Sequence, residues 1–198
     1  MPKTAGRPRG FDREAALDRA VTEFWLHGYE ATSVAGLTAA MGIKPPSLYA
    51  AFGDKRALFS EAIQRYGVTF GAVSGQVLAE EPDARVAVER LLYAIADAYT
   101  DPAHPPGCMV ITAAVNCTSG AEDVKAELRA IREASTKAIR DKIATGVDAG
   151  RLPADTDVDA LATYYAAIVQ GMSTQACDGV GREGLEGIAA LAMRAWPE

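Results

Sequence analysis

The chain has 198 residues, of which 49% are hydrophobic and 23% charged, and its formal net charge is −6. This length and composition allow a sizeable core, in one domain or in a small module joined to a larger one, and argue against disorder. Because no apolar run of about 18 residues and no signal-peptide pattern occur, we expect a cytoplasmic protein that does not cross a membrane. The three cysteines form no even disulfide set and no Cys/His cluster, so we expect reduced thiols, no metal site and no cofactor.

Charge is distributed unevenly along the chain. Residues 1–67 hold nine Lys and Arg against seven Asp and Glu, a net charge of +2, and the first ten residues alone contribute +3. The remaining residues hold eleven against nineteen, a net charge of −8. A weakly basic N-terminal part, which starts with an arm containing Lys3, Arg7 and Arg9, therefore precedes an acidic body. The overall net charge of −6 argues against a protein that coats nucleic acid indiscriminately.

Apolar residues recur with a spacing near 3.6, and alternating runs of Val, Ile and Thr are almost absent. This pattern predicts an all-α fold of about nine helices. The first helix begins after Asp12, a residue type suited to an N-cap, and runs to about His27. Gly28 then provides a left-handed stop.

Two short helices follow the first. Thr32 or Ser33 can cap the second helix, which ends at Gly42 about two turns later. The pair Pro45-Pro46 suits the first turn of the third helix, where a missing amide hydrogen costs nothing. The residues predicted to face inward from this helix are Leu48 and Phe52.

The fourth helix is predicted to link this unit to the body, with Asp54 as its N-cap and apolar periodicity through Phe70. A fifth follows Pro82 and stops at the stretch 102–107. The remaining four are predicted at about 108–118, at 121–148, from about 157, and after the loop 179–184. The predicted solvent-facing side of the seventh helix comprises Glu127, Arg129, Arg132, Glu133, Arg140 and Asp141.

The two short helices, with a supporting helix and a basic arm before them, are typical of a helix-turn-helix whose second helix enters the DNA major groove. The alternative is a short helical hairpin in an ordinary bundle. Tyr49 lies opposite the inward face, so its hydroxyl can donate to a phosphate, or its ring can simply pack. Lys55 opposes the dipole at a helix start, which indicates a nearby phosphate or else a solvated lysine.

The segments Gly28-Tyr29-Glu30-Ala31-Thr32-Ser33-Val34, Gly42-Ile43 and Leu48 to Phe59 resemble the N-terminal signature of TetR-family regulators, over residues 11 to about 60. The resemblance implies an all-helical homodimer, usually a repressor, that binds double-stranded operator DNA and is released by a small-molecule effector. It also implies a DNA-binding head at residues 1–60 and a ligand-binding and dimerisation body at residues 61–198.

The resemblance also assigns positions in the head. The residues implied to contact the DNA backbone are Thr32, Ser33, Tyr49 and Lys55, and those implied to lie nearest the base edges are Lys44, Pro45, Ser47 and Ala50. Pro45-Pro46 and Ala50 depart from the family's pattern, in which polar or basic residues are frequent here. We therefore expect apolar contacts to thymine methyls and recognition of DNA shape to supplement hydrogen bonds.

The body offers no nucleophile, base and orienting acid at a recognisable spacing, so we do not expect an enzyme. Aromatic, soft and polar side chains suited to an effector pocket are Tyr99, Met109, Thr112, Asn116, Tyr164, Tyr165, Gln170 and Met172. The alternative for each is an ordinary core position. The eighth and ninth helices are rich in small and apolar residues, and the resemblance implies that they form a four-helix dimer interface; otherwise they complete the monomer core.

Cys108 is the candidate redox residue. It follows Pro105-Pro106-Gly107, a segment that resembles the turn before a helix in one group of TetR-like bodies, and a helix start can lower a thiol pKa. The alternative is a buried, inert cysteine. Cys117 lies nine positions later, about 13 Å away on one continuous helix, which is beyond disulfide reach.

Overall fold

The computed structural model describes residues 11–115 and 119–197. Within these ranges the chain forms ten α-helices and no strand, which confirms the all-α prediction. The helices are α1 (Arg13–Ala31), α2 (Val34–Met41), α3 (Pro45–Phe52), α4 (Lys55–Thr69), α5 (Ala72–Glu80), α6 (Ala84–Thr100), α7 (Met109–Val115), α8 (Glu122–Asp148), α9 (Val158–Cys177) and α10 (Arg182–Ala192). None of the described helices is long and apolar enough to cross a bilayer.

Several helix ends lie where local chemistry predicts them. The Asp12 carboxylate accepts hydrogen bonds from the first turn of α1, and Asp54 and Asp157 cap α4 and α9 in the same way. Gly28 interrupts the helical geometry as predicted, but at φ 73° and ψ 178° its backbone is extended in ψ and does not adopt the left-handed helical conformation. A further turn, Tyr29–Ala31, nevertheless completes α1.

Helix α5 was not expected from the sequence. The predicted fourth helix ends close to Phe70, but residues 72–80 form a separate helix that packs against α6 and α8. Only Leu78 is fully buried in α5, and glycine at positions 71 and 75 lowers the local helix propensity. This helix therefore depends on tertiary packing more than on its own sequence.

The buried side chains form two clusters. The first joins α1 to α4 with α7 and the start of α8, and its largest members include Phe24, Leu48 and Phe59. The second joins α5, α6, α9 and α10 with the later part of α8. The first cluster extends along α4 past the predicted boundary at residue 60 to Tyr66, so the head packs directly on the body through α7. The boundary itself stays a prediction.

Candidate DNA-binding surface and ligand cavity

The turn between α2 and α3 has the geometry of a helix-turn-helix. Gly42 ends α2 in the left-handed conformation, at φ 67° and ψ 31°, where its N–H bonds to carbonyls of the last turn. The side chains of Leu37 and Leu48 are fully buried beside Phe24 of α1. This shared cluster holds α3 against α2 and α4 and determines which side of α3 faces outward.

The outward side of α3 and its start carries most of the residues predicted to approach base edges. Lys44, Pro45 and Ala50 are exposed, and Ser47 is half-buried. Tyr49 is 52% exposed, and its hydroxyl has no hydrogen-bond partner among the residues described. This surface therefore presents to solvent the Tyr49 phenol and the Lys44 ammonium, neither of which has a partner within the described part of the chain.

The two residues predicted at the start of α2 have different environments. Ser33 is exposed and is the N-cap, because its Oγ accepts from the Gly36 N–H at 3.0 Å while its own proton stays available. Thr32 is only 3% exposed, and its hydroxyl donates to the Gly28 carbonyl at 2.6 Å. The Thr32 hydroxyl is thus engaged at the end of α1 in the DNA-free protein, and the phosphate contact of Thr32 stays a prediction.

Lys55 lies at the first position of α4, but its ammonium points back to α1. Its Nζ lies 4.4 Å from the centre of the Tyr29 ring and donates to the Glu30 carbonyl at 3.4 Å. Burial lowers the pKa of Lys55, and the Glu30 carboxylate partly opposes this shift. The conflict with the helix dipole is thus relieved within the protein, and the phosphate contact stays a prediction.

A cavity of about 870 Å³ lies between α4, α5, α6, α7, α8 and α9. Its wall is mostly apolar, and its aromatic members are Trp25, Tyr66, Phe70, Tyr99 and His104. Pockets of this size and character hold drug-sized ligands. Among the described residues, no group of three or more His, Cys, Asp and Glu is arranged to hold a metal ion.

The predicted pocket residues divide into two groups. Tyr99 and Gln170 line the cavity. The others do not line it, and we correct those predictions: Met109, Tyr165 and Met172 are 0% exposed in the core, Tyr164 is 37% exposed on the outer side of α9, and the Thr112 hydroxyl donates to the Cys108 carbonyl at 2.8 Å. Asn116 lies outside the described residues.

Cys108 lies in the cavity wall, just before α7. The Tyr66 hydroxyl donates to its Sγ at 3.3 Å, and its backbone N–H donates to the Ser173 Oγ at 2.9 Å. Burial raises the pKa of the Tyr66 phenol, and the neighbouring thiol adds to this shift. Tyr66 therefore stays protonated and keeps donating. Cys117 lies outside the described residues.

Trp25 connects the head to the cavity. It belongs to α1, yet its Nε1 donates to the Pro106 carbonyl at 3.2 Å, and its ring stacks on His104 with centroids 4.8 Å apart. A second connection joins Arg56 of α4 to Asp123 and Glu127 of α8. Neither connection can be inferred from the sequence, because no local pattern shows that these distant segments meet.

The predicted solvent-facing side of α8 is wrong at two charged residues. Glu127 and Arg132 were expected on its solvent-facing side, but both line the cavity. Glu127 is paired with Arg56 at 2.8 Å and accepts from the Ser60 hydroxyl at 2.9 Å. The Nη1 atom of Arg132 is buried and has no hydrogen-bond partner in the part of the chain that the structure describes.

Comparison with known proteins supports the geometry of the head. Residues 16–62 match the model of bacterial regulatory proteins of the tetR family, and residues 86–177 match a tetracyclin repressor-like C-terminal domain. The HTH-type transcriptional repressor ComR of Escherichia coli (strain K12) is 37% identical over 199 residues, covering 100% of this chain and 95% of ComR. The chain belongs to the TetR family.

Other relatives agree with this TetR-family assignment. The HTH-type transcriptional repressor BdcR of Escherichia coli (strain K12) is 31% identical over 98% of this chain and 93% of its own length. A cysteine mutant of the TetR family regulator CifR, solved with 26-bp double-strand operator DNA, has a TM-score of 0.93 and 45% identity, covering 97% of this chain and 100% of that one. This TetR-family chain is therefore a DNA-binding transcriptional regulator.

Proposed function

We propose that this TetR-family regulator represses transcription by binding operator DNA as a homodimer, and that a small molecule in the cavity releases it. The observation that carries the proposal is the position of Trp25, which belongs to the head and also lines the cavity. Because the same ring touches both regions, a ligand in the cavity acts on the orientation of the head. Residues 1–60 form the head in this proposal and residues 61–198 the body.

The operator is bound by the outward side of α2 and α3. The residues that contact backbone phosphates are Ser33, Tyr49 and Lys55. Those that approach base edges are Lys44 and Ser47, with Pro45 and Ala50 beside them. The exposure of this side supports the assignment, as does the operator complex of the similar regulator CifR. The Lys55 ammonium contacts a phosphate only if this ion pair is at least as favourable as the cation–π contact with the Tyr29 ring that it replaces.

The homodimer forms through α9 and α10. Their outer faces leave large apolar side chains partly exposed in the described monomer, with Tyr164 37% and Leu191 62% exposed. Small residues between them allow close helix packing, as in a four-helix interface. Dimerisation places the two recognition helices about one or more DNA turns apart.

Release from the operator is a population shift between two conformations of the dimer that differ in the distance between the two DNA-binding heads. A ligand that binds equally well to both conformations changes nothing, so it must contact groups whose positions differ between them. We expect Trp25 and His104 to meet this condition, because they stack across the junction between the head and the body.

The test is a salt-dependent gel shift on DNA from upstream of the protein's own gene. Tyr49→Phe with Lys55→Ala should weaken operator and non-operator DNA alike and lower the salt slope by about one, because phosphate contacts carry no sequence information. Substitutions at Ser47 should instead change sequence preference. Tyr93→Phe, on α6 away from the head, is the control.

Two results would contradict the DNA-binding assignment. One is an absence of ionic-strength-sensitive affinity for any duplex. The other is an equal loss on all sequences for both groups of variants. Because Lys55 also packs on Tyr29, Lys55→Arg must retain both thermal stability and DNA affinity if the cation is what matters.

A thiol sensor on the same frame is a second candidate, favoured by the place of Cys108 in the cavity wall next to the Tyr66 hydroxyl. Hydrogen peroxide that enters the cavity would oxidise the thiol to a sulfenic acid and be reduced to water. Cys108→Ser should then abolish DNA release by peroxide while DNA affinity is retained. An unchanged peroxide response in Cys108→Ser excludes this candidate.

A further inference from the structure

We propose that Arg132 is the anion-binding residue of the cavity and that its ligand is an apolar, ring-containing molecule with one acidic oxygen group such as a carboxylate. This inference rests on the proposed function of the cavity as the effector site. It starts from Arg132, which lines the cavity and whose Nη1 atom is buried without a hydrogen-bond partner among the described residues. A buried, unsatisfied guanidinium nitrogen is costly unless a ligand satisfies it.

The other ionisable groups of the cavity leave the charge of Arg132 uncompensated. The carboxylate of Glu127 is engaged by Arg56 and Ser60. The Tyr66 phenol is kept neutral by burial and donates to Cys108. No carboxylate of the described residues lies within ion-pair distance of Arg132, whereas Arg129, one turn earlier, pairs with Glu133 at 3.8 Å.

The remainder of the wall defines the rest of the ligand. The aromatic rings of Trp25, Phe70 and His104 lie together in it and offer surfaces for stacking with a planar apolar group. A planar guanidinium binds a carboxylate through two parallel hydrogen bonds, which gives orientation as well as affinity. The cavity thus combines a place for a ring with a cation for an acid.

Two fluorescent probes with the same rings test this assignment. Anilinonaphthalenesulfonate carries an acidic group and N-phenylnaphthylamine does not. We expect Arg132→Met in the full-length protein to weaken the sulfonate probe about tenfold and to leave the neutral probe within about twofold, because only the charged hydrogen bond is lost. Arg132→Lys should restore part of the affinity for the sulfonate probe.

Two control variants locate the effect. Arg129→Met removes an exposed arginine of the same helix and should change neither affinity. Ala98→Trp, which places a large ring in the cavity, should abolish binding of both probes while thermal unfolding shows that the protein still folds. If Ala98→Trp does not fold, loss of the sulfonate probe on adding excess neutral probe shows that they share the cavity.

The outcomes separate the two proposals. If the neutral probe binds in the cavity but Arg132→Met weakens both probes equally, or neither, the anion site is wrong and the effector cavity stands. If neither probe binds wild-type protein, or binding persists in folded Ala98→Trp, both the anion site and the effector cavity are wrong.

Discussion

Among single residues, Lys55 and Thr32 show how the free protein satisfies groups that also suit a DNA phosphate. The Lys55 ammonium packs on Tyr29, and the Thr32 hydroxyl closes the last turn of α1. Tyr49 has no such internal partner among the described residues and is half exposed. Tyr49 is therefore the cleaner position at which to measure a phosphate contact.

Gly107 provides a prediction about stability. It has φ +73°, and an added Cβ would lie 2.8 Å from both the Cys177 Sγ and the Ser173 carbonyl oxygen. Gly107→Ala should therefore destabilise the protein by about 1–3 kcal/mol, because the backbone becomes strained and the loop is pushed from α9. Chemical denaturation measures this change in the free energy of unfolding.

The matched control for Gly107 is Gly67→Ala. Gly67 lies within α4 with open space around its Cβ position. Alanine should raise stability there by about 0.5–1 kcal/mol, since glycine loses more backbone entropy in a helix. Equal effects of the two substitutions would contradict the role assigned to the Gly107 turn.

Between elements, ion pairs link the head to the body. Arg56 of α4 bonds to Asp123 and to Glu127 on α8, and Ser60 adds a hydrogen bond to Glu127 at 2.9 Å. Together with the contact of Trp25 on Pro106, these bonds couple α1 and α4 to the cavity wall. The orientation of the head is thus set by contacts with two body segments.

The Arg56 pairs predict a dependence on pH. The hydrogen bond from Arg56 lowers the pKa of Asp123, so its contribution to stability is present above the unfolded pKa of about 3.9 and is lost as pH falls through the lowered folded value. Arg56→Gln should have a lower melting temperature than wild type at about pH 7, and this difference in melting temperature should become smaller towards about pH 3. Thermal melts across this range measure the difference.

A second substitution controls for the loss of an arginine from the surface. Arg129→Gln removes a pair in which both side chains are more than two-thirds exposed, so it should leave the melting temperature almost unchanged. If the difference in melting temperature between Arg56→Gln and wild type does not change with pH, the ion pair with Asp123 does not account for the loss of stability.

For the whole molecule, the proposed dimer makes α9 and α10 an interface rather than an outer surface. Leu191→Glu should convert the dimer to a monomer, because the substitution replaces an exposed leucine of the proposed apolar interface with a charge that is costly to bury. Operator affinity should fall with it, since one monomer holds only one recognition helix. Sedimentation analysis measures the mass and a gel shift measures the affinity.

Val68→Glu is the control for the dimer. Val68 is 74% exposed but lies on α4, away from α9 and α10. The same charge at this position should leave the dimer intact. If the Leu191→Glu protein stays dimeric, the dimer interface does not lie at Leu191.

The helices and the turn of the head can be inferred from local sequence alone. Asp12, Asp54 and Gly42 act within one helical turn of their own backbone, so their capping roles can be inferred without knowledge of the fold. The resemblance of residues 11 to about 60 to TetR regulators is confirmed by the family match over residues 16–62. This short motif contains its own core contacts, so it can be recognised without knowledge of the body.

Which body residues form the cavity depends on how distant helices pack together. Arg132 and Glu127 have the spacing of a solvent-facing stripe, but α4 and α5 pack near them and turn that side of α8 into a wall. Trp25 meets His104 across the junction with the body in the same way. The environment of such side chains depends on segments far apart in the chain, and helical periodicity reports only which residues share a face.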